Sequence, residues 1–237
     1  MCLPLGMSKN TLSTDDARDQ HGNPSGILEQ ANDVFDDMVE LRRDLHRWPE
    51  ISNHLPRTRE RVLESLEGLP LDITLHETTS GIAAMLTGGK PGPTVLLRAD
   101  MDALPMPEDT DVDFKSNVEN AMHACGHDTH TAMLMGAAKI LSARQADIPG
   151  RVLFMFQPGE EGYNGASEML AEGLLDVGTD SPVTGAFAIH AASNIPGGFL
   201  GLKGGTIMAS SDSMTITVKG RGGHGSAPHF TLDPVPV

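Results

Sequence analysis

Several kinds of protein are excluded by what this chain has little of. Only two of its 237 residues are cysteines, too few for a disulfide framework, which favours a reducing compartment. Basic residues are few, 17 Lys and Arg against 32 Asp and Glu. The resulting net charge of −15 argues against a nucleic-acid partner, because phosphates need a basic face. No stretch approaches the about 20 apolar residues of a membrane span. The N-terminal MCLPLGMSKN lacks the basic start and apolar core of a secretory leader. A cytoplasmic protein with no membrane partner is therefore expected, with Met7 as an alternative start. Aromatics make up 4% of the chain, so 13 Met together with Ala, Val and Leu must fill the core.

What is present is concentrated in Met122-His123-Ala124-Cys125-Gly126-His127-Asp128-Thr129-His130, which holds three of the ten histidines and one of the two cysteines. Thiolate and imidazole are common ligands of a borderline divalent metal. Cys125 and His127, with a glycine between them, can turn toward one ion from a loop. An apolar run at helical spacing follows (Ala132, Met133, Leu134, Ala137, Ala138, Ile140, Leu141), so Asp128 or Thr129 is the expected helix cap. The plainer alternative is a buried cysteine beside polar loop histidines.

The remaining pattern is that of an α/β protein. Helices are expected over about 31–48, 57–66, from just after the cysteine cluster to 144, and over 165–175. Strands are expected at 73–75, 81–86, 94–98, 152–157 and 186–189. The runs Thr94–Leu97 and Val152–Gln157 are continuously apolar, as in strands buried on both faces. Three of these strands end in chemistry-bearing residues: Asp100 and Asp102 after one, Glu160 and Glu161 after the next, and His190 after the third. Open α/β sheets place ligand sites at such ends. Adjacent carboxylates are costly unless a positive group neutralises them, and a metal ion would do so. Each feature alone has a bland account, as a polar turn or a structural histidine; their convergence favours a metal site. Residues 197–205 read as an edge strand with turns. From Asp212, Met214, Ile216 and Val218 alternate with polar residues, as in a half-exposed strand of a second domain beginning near Ser210 or Ser211.

Taken in order, LRRDLHRWPE (41–50), LLRADMDALP (96–105), MHACGHDTH (122–130), FQPGEEG (156–162), AIH (188–190) and KGRGGHGSAPH (219–229) resemble one family. This is the group of zinc-peptidase-related amidohydrolases that includes aminoacylases, hippurate hydrolases, N-acetyl-diaminopimelate deacetylases and hydrolases of indole-acetyl-amino-acid conjugates. The resemblance implies a central mixed, largely parallel sheet flanked by helices, followed by the start of an α+β lid and dimerisation domain. By that reading, 1–30 is a disordered tail, 31–210 an incomplete catalytic domain, and 211–237 the beginning of a truncated lid.

The resemblance further implies two divalent ions (zinc, manganese, cobalt or nickel) with Cys125, His127, Glu161 and His190 as ligands. Glu160 becomes the general base that activates a metal-bound water, Asp102 the acid supporting the metal site, and His224 a lid histidine that reaches a partner subunit's site to stabilise an oxyanion. Asp100 sits where many relatives use a ligand histidine, a duty shifted here to His127. The implied reaction is hydrolysis of the amide bond of N-acyl amino acids or related conjugates by a homodimer in the full-length form. Two competing readings remain. One makes Cys125 a thiol nucleophile with His127 or His130 as base. The other is a truncated, inactive relative that binds only metal or a partner subunit.

Overall fold

The computed structural model describes residues 2–4, 26–210, 212 and 214–236. Contacts divide the chain into two compact units, one running up to Ser193, the other combining the N-terminal strand with residues from Asn194 onward. The expected domain boundary near Ser210 falls inside this second unit. Most of the tail expected to be disordered lies outside the described residues.

In chain order, the elements are β1 (Cys2–Pro4), α1 (Ile27–Asp33), α2 (Phe35–Arg47), α3 (Pro56–Leu66), β2 (Asp72–Leu75), β3 (Ile82–Thr87), β4 (Lys90–Asp100), α4 (His127–Ala143), β5 (Pro149–Gln157), α5 (Gly165–Ala171), β6 (Val183–Ala188) and β7 (Phe199–Gly201). The helix expected over 31–48 is thus two helices joined at Val34, beginning at Ile27. Pro56 opens α3, where a missing N–H is no loss.

In the larger unit the sheet order is β2-β3-β5-β4-β6. It is mixed: β2 and β3, and β3 and β5, run antiparallel, while β5, β4 and β6 are mutually parallel. Alternation along β5 explains its unbroken apolar sequence. Val152, Phe154 and Phe156 enter a core with Leu41, Leu45, Val62, Leu66 and Met135 from α2, α3 and α4. Leu153 and Met155 point the other way, against Met169 of α5 and Leu174. Both faces of β5 are therefore covered, as a buried strand requires. The outer parallel strand β6 differs: Phe187 is 63% exposed, and Ile189 just beyond it 61%.

In the smaller unit β1 pairs antiparallel with β7, so the edge strand expected in 197–205 forms. The strand expected from Asp212 does not. Residues 214–220 have no strand pairing, and Met214 and Ile216 are 82% and 73% exposed. Alternation marks a strand only where a neighbour accepts its ladder, and none of the described residues supplies one here.

One buried polar cluster ties α2 to the start of α4. The two ring nitrogens of His46 contact Asp128 at 2.8 Å and Glu108 at 3.1 Å. Arg42 Nε lies 2.8 Å from the same Asp128 oxygen. Burial pulls the His46 pKa down, but the bonds to Asp128 and Glu108 outweigh it and leave it above its ordinary 6.5. A raised histidine stabilises the fold fully below its unfolded value, and that share is lost as pH rises through the folded value. The melting temperature of the metal-free protein should therefore fall as pH climbs above 6.5, and His46→Gln should flatten that slope. Parallel melting curves for the two proteins would contradict this assignment.

Candidate metal centre

Strand register brings the site together. Asp100 pairs with Gln157 across β4 and β5, and Arg98 pairs with Ala188 across β4 and β6. β4 and β5 thus end level and β6 two residues short of them, and the residues beyond each end, Asp102, Glu160 with Glu161, and His190, emerge at the same end of the sheet. The ladder continues one residue further, with Met101 N–H donating to the Gln157 carbonyl at 2.8 Å.

Asp102, 1% exposed, organises the turn after β5. Its two carboxylate oxygens accept the backbone N–H groups of Glu160 at 2.9 Å and of Glu161 at 3.0 Å. Its carbonyl accepts His127 Nδ1–H at 2.8 Å, which directs Nε2 away from it. One residue therefore holds the backbone of both glutamates and the imidazole ring.

Cys125 and His127 flank Gly126, which caps α4 in the left-handed conformation (φ 86°). A Cβ there would meet Ala191 Cβ at 3.2 Å, and the positive φ itself disfavours a side chain. The expected cap at Asp128 or Thr129 is thus corrected. His127 is the first residue of the helix, and Asp128 turns inward to His46 instead. That partner lies 82 positions away, beyond the reach of local pattern.

His127 Nε2 is buried and has no hydrogen-bond partner among the described residues. It lies 3.5 Å from Asp100 Oδ2 and 3.9 Å from both Glu160 Oε2 and Glu161 Oε1. Cys125 Sγ lies 3.5 Å from His190 Nε2. Among the described residues, three sets could hold a cation, and all include His127: Cys125 with His190, Glu160 with Glu161, and Asp100 with His130. Ligand atoms within each set lie within 4.8 Å of one another. The structure therefore gathers Cys125, His127, Glu160, Glu161 and His190, with Asp102 beneath them. His224 belongs to the smaller unit. There its Nδ1 accepts the Ser226 backbone N–H at 3.2 Å, so the neutral ring carries its proton on Nε2.

The electrostatics call for a positive charge. Burial, then the charges of Glu161, Asp100 and Glu160, push the Cys125 thiol up to about 12. Burial would lower the His127 pKa, but Asp102 and Asp100 leave it raised. Such a thiol does not ionise as a free nucleophile near neutral pH, so these surroundings disfavour the nucleophilic reading of Cys125. A divalent ion bound to an orphaned imidazole, a thiolate and paired carboxylates would relieve both strains, and this mixed donor set suits a borderline metal.

Two features escaped the sequence. His123, grouped with the ligand histidines by its motif, is buried with neither ring nitrogen bonded among the described residues, and burial lowers its pKa to about 4. Asp100 and His130 bond each other at 2.5 Å. Their spacing carried no signal, although both lie in segments already singled out.

A sheet whose parallel strands end in thiol, imidazole and carboxylate groups around one unpartnered imidazole nitrogen defines an α/β protein with a candidate metal centre. Comparison with known proteins specifies it further. The profile of peptidase family M20/M25/M40 matches residues 96–232. Thermostable carboxypeptidase 1 of Saccharolobus solfataricus is 43% identical over 88% of this chain and 53% of its own length. The N-acyl-L-amino acid amidohydrolase of Geobacillus stearothermophilus is 40% identical over 89% of this chain and 56% of its own. Among solved structures, the Bacillus subtilis YXEP protein, described as a dinuclear metal binding peptidase of family M20, is 37% identical with a TM-score of 0.65, covering 70% of this chain and 45% of that one. The chain belongs to peptidase family M20/M25/M40, in agreement with the resemblance drawn from its motifs. It spans about half the length of the curated relatives it matches. No helix among the described residues is long and apolar enough to cross a membrane.

Asp102 supplies the sharpest test of this geometry. Asp102→Asn replaces one acceptor with a donor facing the N–H of Glu160 or Glu161. Divalent-metal affinity, measured by competition with a chromophoric chelator, should fall by about 10–100-fold, as for lost outer-shell partners of other metal sites. An unchanged affinity in a folded variant would contradict the role given to Asp102.

Proposed function

We propose that this chain carries the metal-binding and general-base part of an amidohydrolase acting on N-acyl amino acids or related conjugates. One observation carries the reading: the unpartnered His127 Nε2, ringed by Cys125, Glu160, Glu161 and His190 at the ends of parallel strands. The relatives support the reaction class, since one is named for hydrolysis of N-acyl-L-amino acids. Cys125, His127, Glu161 and His190 would hold two divalent ions, which supply Lewis acidity and a water of near-neutral pKa. The zinc, manganese, cobalt and nickel alternatives all suit these donors.

Glu160 is the base in this reading. Its side chain is 41% exposed, against 24% for Glu161, so it is the more open of the two to an incoming water and leaving amine. It takes a proton from the attacking water and returns it to the amine nitrogen as the amide bond breaks. His224, with its donor on Nε2, would face the developing oxyanion across a homodimer. The same reading treats 31–210 as catalytic and 211–237 as the beginning of a lid. A second reading, metal binding without turnover by these residues alone, is favoured by the open β6, since parallel strands are ordinarily covered on both faces.

Elemental analysis combined with hydrolysis of an N-acetyl amino-acid panel separates the roles. Glu160→Gln should keep its metal and lose about 10²–10⁴-fold in turnover, the share typical of a general base. Cys125→Ala should lose metal. Full turnover by Glu160→Gln would remove it as the base. Metal bound by every variant but hydrolysis by none, wild type included, would favour the second reading.

A further inference from the structure

Of the four proposed ligands only His190 is itself exposed, and the residues on either side of it are exposed as well. Its ring is nevertheless tied to the buried interior through Ala191, whose carbonyl and N–H belong to two successive peptide groups and each make one bond. His190 Nδ1–H donates to the Ala191 carbonyl at 2.6 Å, leaving the Nε2 lone pair 3.5 Å from Cys125 Sγ. The Ala191 N–H donates in turn to His130 Nε2 at 2.8 Å. A nitrogen that accepts carries no proton, so the proton of the neutral His130 ring is on Nδ1, which bonds Asp100 Oδ1 at 2.5 Å. Asp100 is fully buried, and Arg98 lies 2.7 Å from its other oxygen. The rings of His130 and His190 also meet edge to face, with centroids 4.6 Å apart.

We propose that His130 is a positioning residue for His190, acting through the backbone of Ala191 on either side of its Cα, with Asp100 fixing its tautomer. This goes beyond the ligand assignment and rests on the metal reading given above. Geometry separates it from the obvious alternative, in which His130 itself ligates a metal together with Asp100 and His127. Both ring nitrogens of His130 are engaged, and ligation would break the bond that holds Ala191. Gly126 belongs to the same device, since a Cβ there would press on Ala191.

The two amide isosteres of histidine divide the chain of bonds. Glutamine places its amide near Nε2 and can accept from Ala191; asparagine places its amide near Nδ1 and can donate to Asp100. The first measurement needs no metal: hydrogen exchange of the Ala191 amide in the metal-free protein. It should be slow in wild type and His130→Gln and fast in His130→Asn. The second is Co²⁺ affinity by chelator competition. His130→Asn should lose about 10–100-fold, the range for outer-shell partners, and His130→Gln should stay within about threefold of wild type. In a His190→Ala background, His130→Asn should cost nothing more, because residues acting through one contact are not additive.

A loss that adds fully in the double variant would make His130 a ligand in its own right and overturn the proposal. So would retention of affinity by asparagine and its loss in glutamine, or Ala191 exchange indifferent to both substitutions. A wild-type chain that takes up no Co²⁺ while Ala191 exchange follows the expected order would refute the metal reading and support the hydrogen-bonded chain.

Discussion

Like charges held close together are the constraint on which this site depends. Asp100, Glu160, Glu161 and the Cys125 thiol all lie near one imidazole nitrogen that bonds nothing among the described residues. Left alone, the arrangement is unfavourable, as the raised thiol and the raised His127 pKa both record. A proton on His127 can offset part of it; a divalent cation offsets more and uses every donor. The fold imposes this crowding. Parallel pairing of β4 with β5 and β6 brings three strand ends to the same end of the sheet, and Asp102 then holds the glutamates by bonding their backbone rather than their carboxylates. The carboxylates are left free of Asp102, with one oxygen of each 3.9 Å from His127 Nε2.

The same economy recurs around the centre. Asp102 bonds three groups, His46 joins Asp128 to Glu108, and the backbone of Ala191 bonds both His130 and His190. Each segment that carries a proposed ligand is thus braced by a buried polar group from elsewhere in the chain. Such bonds are worth most where water is excluded, which is where Asp100, Asp102 and Asp128 lie.

Much of this was legible in the sequence. The buried strands announced themselves by continuous apolar runs, and the residues following them identified the site edge before any contact was known. Cys125, His127, Glu160, Glu161 and His190 were expected to converge and do. The bracing was not legible, because His46 with Asp128, Asp100 with His130, and Asp102 with Glu160 are joined across 82, 30 and 58 positions. Composition and periodicity report local preference, and these partners are chosen by how helix packs on helix, helix on strand and strand on strand. For the same reason Asp128 looked like a cap and became an anchor, while Gly126 took the capping place because only a left-handed residue lets the chain turn there. The alternation from Met214 to Val218 looked like a strand, but a strand needs a neighbour as well as a pattern.

The central claim is that this crowded site is built around a divalent cation. Cys125 reports on it directly. Its thiolate absorbs in the ultraviolet, and Cys2→Ser leaves it as the sole thiol. Titrated without metal, the thiol should stay protonated well into alkaline pH, toward its value of about 12. With one to two equivalents of Zn²⁺ per chain, thiolate absorbance should appear at neutral pH, because a coordinating thiol is deprotonated by the ion's charge. Superimposable titrations with and without Zn²⁺ would contradict the account.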